Sequence, residues 1–301
     1  TIQPYSPAAG TGLSSHELNM PGCYRDVKDT TVTAMFRMTS PQGAFKTDWG
    51  ETYFMAWTTT PWTLPSNTAL CVGPKIDYVL VNTFNPYTAQ PISVVMAEAR
   101  IASYFNPAGA EATMENYEKG GKILPYRVVA HFKGTDLEGL KYEQLFAYVN
   151  PGEGAFRVIL GDYVSTEDGT GIVHIAPTFG ADDAFVAKKA GVPALQLIDK
   201  NGNKRPMVDL KGRFYKLEDL DEDFKQKHMN VDLYKTYAGR FVKNAYDDKL
   251  TDKDETLDIS ICMELKASGL AFRIEKHVHN YPHCWRTDKP ILYYPLDSWF
   301  I

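Results

Sequence analysis

No run of apolar residues in this 301-residue chain approaches the ~20 needed to cross a bilayer as a helix, so no membrane partner is expected. No charged, apolar, small-residue leader opens it, and the first residue is Thr1. The closing LDSWFI reads as an apolar segment cut short, so a piece of a longer protein is expected. Cysteine is scarce: Cys23, Cys71, Cys262 and Cys284 lie far apart without a CxxC pair. That spacing points to reduced thiols and a cytoplasmic location, and away from a disulfide framework. A basic excess is missing as well, with 32 Lys and Arg against 37 Asp and Glu, a net charge of −5. Any nucleic acid is therefore held over a small footprint, or by another part of a longer chain. There is no G-x-S-x-G elbow, HExxH helix, phosphate-binding P-loop, internal repeat or low-complexity tract. No covalent nucleophile stands out, and Ser66 and Ser165 lie in turn-like contexts.

What remains is a globular composition, 44% hydrophobic and 13% aromatic. Runs rich in β-branched and aromatic residues predict strands at 31–38, 52–60, 77–83, 92–98, 126–132, 156–160, 171–176 and 194–199. Helical patterns fall at 95–104, 140–148, 181–190, 218–228 and 256–268. The Asn201-Gly202 pair predicts a tight hairpin. Strands dominate and helices interrupt irregularly, which predicts an α+β, barrel-like domain instead of a βαβ repeat. The polar, Gly- and Pro-punctuated stretch 106–122 reads as a surface insertion.

Two stretches carry chemistry. The first is TTTPWTLPSNTAL, residues 58–70. Three threonines suit a strand end. Pro61 and Pro65 then predict a rigid loop outside any regular helix or central strand, lined with hydroxyls and one indole. The second is EDGTGIVHIAPTFGADDAF, residues 167–185. Gly169 and Gly171 allow a tight turn into a strand bearing His174, and Asp182 and Asp183 open a helix ended by Gly191. Carboxylates are favoured in a first helical turn, so one of the two is expected to cap and the other to face a ligand. Each residue taken alone also has a plain structural explanation: a strand edge for the threonines, packing for Trp62, a satisfied core histidine for His174. HVHNYPHCW (277–285) gathers His277, His279, His283 and Cys284, but without a second cysteine at zinc spacing, and no metal is expected.

TTTPWTLPSN together with DGTGIVHIAPTFGADD resembles the editing domain, or connective insertion, of the isoleucyl-tRNA synthetases, class I aminoacyl-tRNA synthetases. PYSPAAGTGLSSHELNMPGCYRDV resembles the segment that enters that insertion, and YPHCWRTDKPILYYPLDSWFI the segment that leaves it. The related valyl and leucyl enzymes carry TTRP where this chain has TTTPW, and usually lack a histidine at the position of His174. The aminoacylation signatures HIGH and KMSKS are absent.

The resemblance implies a β-barrel-like editing core with peripheral helices. It divides the chain into an entering connector (1–30), an editing core (31–250) and a connector (251–301) leading back to the catalytic domain of a parent enzyme. It implies hydrolysis of valyl-tRNA made in error for isoleucine, as the second site of a double sieve, without aminoacylation. Thr58, Thr59, Thr60 and Asp183 would be catalytic; Trp62, Thr63, Asn67, His174 and Asp183 would bind substrate. Asp183 is suited to the ammonium, the threonines to ester, ribose and water, and His174 to limiting the side-chain pocket. The implied partners are the valine-bearing acceptor end of tRNA(Ile) and the parent's catalytic domain; no cofactor is implied here, ATP serving the parent alone. Two alternatives stay open: a valyl-type editor of threonyl-tRNA, and a passive module that docks the tRNA acceptor end.

Overall fold

The computed structural model of the chain describes residues 1–297. Its centre is a six-stranded sheet in the order Ala271–Pro282, Tyr24–Arg37, Glu51–Thr58, Pro91–Ala97, Asp77–Phe84, Arg127–Lys133. Neighbours are antiparallel except Glu51–Thr58 beside Pro91–Ala97, which are parallel. A smaller sheet orders Ile172–Ile175, Ala69–Val72 and Arg157–Leu160. A third joins Leu292–Pro295, Ile2–Ser6 and Thr11–Gly12. The fold is α+β and strand-dominated. Barrel-like is a loose description of it, because the six-stranded sheet ends in two edge strands.

Alternation along the central strands sends side chains into two cores. Val32, Ala34, Phe36, Phe54, Ala56, Leu80 and Val95 face the smaller sheet, where Leu70, Val72, Val158 and Ile172 complete one cluster. Met35, Met55, Val79, Val81, Val94 and Met96 face the other way and are covered by Tyr104, Phe105 and Phe272. Burial on both faces is why these strands read as continuous apolar runs. The far face of the smaller sheet buries Ala69, Cys71, Ile159 and Ile175 against Val186 and Ala187 of the helix Ala181–Ala190. The layers are pinned at Thr170, whose hydroxyl donates to the Met55 carbonyl (2.6 Å) and whose carbonyl accepts the Ala97 N–H (2.8 Å). Gly171 is obligatory there: φ is +79° and an added Cβ would come within 2.4 Å of the Ala97 Cβ.

The helices Ala181–Ala190, Glu222–His228 and Leu257–Ala267 lie where the pattern predicts them. The expected hairpin is present, with Leu197 opposite Arg205 and Gly202 at positive φ. Two predicted helices differ. In 95–104 the strand continues to Ala97, and only Ile101–Tyr104 is α-helical, because Val94–Ala97 are needed in the sheet. The stretch 140–148 has no helix; isolated bridges tie Lys141 to Arg157 and Tyr142 to Met38, and Tyr142, Phe146 and Tyr148 turn into the core. The insertion at 106–122 is surface-lying but docked, with Tyr117 stacked on Phe84 and Arg127 donating to the Ala112 carbonyl. The strand Ala271–Pro282 is missed by pattern, because its outer half is polar and exposed. Of the segment LDSWFI, residues 298–301 lie outside the described residues.

Candidate active site

The threonine stretch begins as the strand Glu51–Thr58 leaves the central sheet. Thr58 Oγ1 accepts the Thr60 N–H at 3.0 Å, a local hydroxyl turn that bends the chain out of the ladder. Pro61 then starts a short 3-10 helix, Pro61–Ser66, in which every residue is buried. Proline suits a first helical position, where its missing N–H costs nothing. The predicted irregular loop is thus a buried 3-10 turn. Its first N–H, from Trp62, donates to Asp258 Oδ1 at 2.9 Å, and Asp258 sits in the first turn of the helix Leu257–Ala267. The Trp62 ring meets Phe179 edge-on, centroids 5.0 Å apart. At 3% exposure it is a core side chain, and its indole N–H has no partner among the described residues.

His174 lies on Ile172–Ile175, opposite Leu70, with its ring against the threonine turn. Nε2 is 2.9 Å from Thr63 Oγ1, and Nδ1 is 2.8 Å from Asn67 Nδ2. The Asn67 contact places the proton, and the Thr63 contact agrees with it. The Ala69 carbonyl can only accept, so the Asn67 group 2.9 Å from it is the amide NH₂, which also donates to Nδ1. On the other side, with Thr63 giving its proton to the Thr60 carbonyl at 2.9 Å, its oxygen accepts from the ring. The ring is therefore the Nε2–H tautomer. Burial pushes the ring pKa down to about 3, so it is neutral. The chain of contacts continues through Thr60 Oγ1, 3.2 Å from Thr63 Oγ1 and 3.3 Å from Thr58 Oγ1. Asn67, His174, Thr63, Thr60 and Thr58 therefore form one hydrogen-bonded set, in which Thr60 is partly exposed. Thr59 is beside it and also partly exposed.

Asp183 reaches the same neighbourhood from the helix Ala181–Ala190. Its Oδ2 accepts the Ala176 N–H at 2.9 Å, two residues beyond His174. The helix N-cap is Gly180, which offers no side-chain cap; a Cβ there would come within 2.8 Å of the Asp183 carboxyl carbon. Glycine thus lets the carboxylate fold back onto the strand end. Burial, aided by the nearby Asp182, pushes the Asp183 pKa up to about 6, against the Ala176 hydrogen bond that favours its charged form. Asp182 does not cap the helix. It is exposed and borders a cavity of about 710 Å³ with Tyr163, Phe185, Arg157 and Lys189, away from the hydroxyl set. The helix ends at Gly191 in the left-handed conformation, as the sequence predicts.

Tyr142 and Asp258 escape sequence reasoning. The Tyr142 hydroxyl donates to Asn67 Oδ1 at 2.5 Å. Burial pushes the Asp258 carboxyl up to about 7, partly countered by Lys243 and the Trp62 N–H. Burial also works against the Lys243 ammonium, but Tyr281, Asp29 and Asp258 more than offset it. Among the described residues no three His, Cys, Asp or Glu side chains converge on a metal position. His279 is spent on Asp29 (2.7 Å), His277 packs edge-on against Trp57, and His283 Nδ1 is 2.8 Å from the Tyr281 carbonyl. Nor is any described helix long and apolar enough to cross a membrane.

Across its full 301 residues the chain is 71% identical to an isoleucine–tRNA ligase of Bacteroides fragilis. Over its whole length this chain is similar to one stretch of the isoleucine–tRNA ligases. It is 65% identical to the enzyme of Porphyromonas gingivalis and 38% identical to that of Treponema denticola, again over 100% of its length. It spans only about a quarter of those relatives, 26%, 26% and 24% respectively. No protein-family model matches the chain. Among solved structures it is similar to the editing domain of the P. falciparum cytosolic leucyl-tRNA synthetase, with TM-score 0.45 and 12% identity over 83% of this chain and 100% of that one. The P. knowlesi counterpart gives TM-score 0.43 and 12% identity, over 86% and 99%.

Proposed function

We propose that this chain hydrolyses the ester of misacylated tRNA, and specifically valyl-tRNA(Ile). The observation that carries the reading is the convergence of the two motifs. Thr63 bonds His174, Trp62 packs on Phe179, and Asp183 is tied to Ala176, so hydroxyls, ring and carboxylate are held around one strand end.

An aminoacyl ester presents an ammonium, a small side chain, a carbonyl and ribose oxygens. Asp183, once ionised, is the anionic group suited to the ammonium. The Thr58, Thr59 and Thr60 hydroxyls suit the ester and a water molecule. Water attacks the carbonyl carbon, the bond to the ribose oxygen breaks, and the proton given up by water returns to that oxygen. A neutral histidine is unsuited to collecting that proton, since its pKa lies near 3. His174 is better read as a wall. One methylene separates isoleucine from valine and its burial favours isoleucine by ~0.8 kcal/mol, so preference for valine needs a surface that does not yield. A ring bonded at both nitrogens supplies it. A second sieve that excludes the larger side chain is how small apolar amino acids are edited in general.

The test is deacylation of valyl-tRNA(Ile) against isoleucyl-tRNA(Ile) and threonyl-tRNA by the chain. Valyl ester should be cleaved and isoleucyl ester spared. Intact valyl ester with retained tRNA binding would make this a passive docking module; preference for threonyl ester would make it a valyl-type editor.

A further inference from the structure

Tyr142 belongs to neither motif, yet its hydroxyl ends the hydrogen-bonded set on the buried side. The segment carrying it is fixed by backbone bonds on both sides: Thr39 N–H to Lys141 O (2.9 Å), Tyr142 N–H to Phe156 O (3.0 Å), Glu143 N–H to Arg37 O (2.8 Å). Its ring is held edge-on by Phe36, Phe54 and Phe156. The hydroxyl is therefore left one direction, toward Asn67 Oδ1. Burial drives the phenol well above its ordinary pKa, so it stays a donor. A fixed donor admits only the carbonyl side of the amide, just as the Ala69 carbonyl admits only its NH₂ side.

We propose that Tyr142 is a positioning residue for ester hydrolysis: with the Ala69 carbonyl it fixes the Asn67 amide, which holds His174 in the Nε2–H tautomer and so keeps the Thr63 proton on the Thr60 carbonyl. With Nε2–H donating, Thr63 is obliged to send its proton to the Thr60 carbonyl, and its remaining acceptor capacity takes the Thr60 hydroxyl proton. The Thr60 oxygen is then an acceptor toward its open side. A water molecule held by such an acceptor gives a hydrogen to the protein and keeps a lone pair for the ester carbon. With the opposite tautomer Nε2 would accept and Thr63 would turn its proton to the ring, leaving the Thr60 carbonyl without its hydroxyl donor and loosening the turn that presents the Thr60 oxygen. The inference rests on the ester-hydrolysis reading for its effect on rate; the tautomer is read out separately.

The experiment is ¹⁵N NMR of the histidine-labelled chain, with the His174 signals assigned by their loss in His174→Gln, alongside steady-state deacylation of valyl-tRNA(Ile). In the unaltered chain His174 should show an unprotonated Nδ1 and a protonated Nε2 from pH 5 to 8. Tyr142→Phe keeps the ring packing but removes the donor. It should bring the second tautomer into the spectrum and lower kcat roughly tenfold, with KM changed by less than about twofold, as expected when positioning alone is lost. Asn67→Asp should pull a proton onto Nδ1. A protonated Nδ1 in the unaltered chain overturns the proposal. So does a Tyr142→Phe chain with the original His174 signals, whatever its kcat, since a merely structural tyrosine would leave the tautomer alone. A correct tautomer in a chain that cleaves no valyl ester supports the lock and sinks the hydrolase reading.

Discussion

Asp183 Oδ2 lies 2.9 Å from the backbone nitrogen of Ala176, so the carboxylate that opens one helix also closes the strand bearing His174. Removing it therefore does two things. Asp183→Ala should abolish most valyl-tRNA hydrolysis, by about a hundredfold, and also cost stability of about 1 kcal/mol through the orphaned N–H. Asp183→Asn keeps an acceptor for Ala176 and should keep the melting temperature while losing the activity. Asp182→Ala should leave both near the unaltered values. Equal damage from Asp182→Ala and Asp183→Asn would reassign the pair to a structural role.

The same carboxylate predicts a pH profile. With its pKa near 6, Asp183 is ionised above that point and can hold an ammonium there. Enzymatic kcat/KM should rise through about pH 6 and fall again as the substrate amine loses its proton near ~8. Asp183→Asn should lack the acid limb. Rates corrected for spontaneous hydrolysis, measured from pH 5 to 8.5, decide this; an acid limb that survives the substitution belongs to another group.

His174→Ala should alter selectivity at a price in stability. Opening the wall makes room for one more carbon, so the ratio of isoleucyl to valyl hydrolysis should rise at least tenfold. Because the ring serves both Thr63 and Asn67, its loss should also destabilise the chain by about 3 kcal/mol. Denaturant melts and deacylation of both esters measure the two effects. A variant that loses valyl hydrolysis and gains none on isoleucyl ester would rule the ring out as a size gate.

Asp258 bears on stability against pH. Its folded pKa is raised to about 7, so the folded state holds this proton more tightly than the unfolded chain. The linked stability is complete below the unfolded value of ~3.9 and is lost as pH rises through about 7. Asp258→Asn keeps an acceptor for the Trp62 N–H and removes the titration, so it should flatten the stability profile between about pH 4 and 8. Asp258→Ala should lower stability throughout that range, because the Trp62 N–H is left unpaired. Urea melts at intervals of one pH unit distinguish the two variants.

Local signals made much of this legible in the sequence. The helix Ala181–Ala190 with its Gly191 stop, the central strands and the 201–202 turn are written in adjacent residues. So are Thr63, Asn67 and His174, which the fold brings into contact. Misreadings arose where distant packing overrides local preference. Tyr142 sits in a helix-like stretch but is drawn into the core beside Phe36 and Phe156. Asp258 looks like any acidic residue in a first helical turn until Trp62, 196 positions earlier, is placed over it. Trp62 is expected from the sequence to bind substrate, and the fold buries it beside Phe179, where it braces the turn. Asp182 resembles a cap because the N-cap glycine carries no side chain to reveal the true arrangement.

The latch between Asp258 and the threonine turn also orders events during synthesis. Thr58–Thr63 leave the ribosome long before the helix Leu257–Ala267 that braces them and the strand Ala271–Pro282 that covers Tyr24–Arg37 in the finished fold. Pairings across so many residues are slow to form, since a long loop must close before any contact is gained. A nascent chain carrying both motifs would thus hold an unbraced threonine turn and an uncovered Tyr24–Arg37 edge until its last quarter emerged. The site on which the proposed hydrolysis rests would then be completed late and abruptly, with the C-terminal quarter as its final stitch.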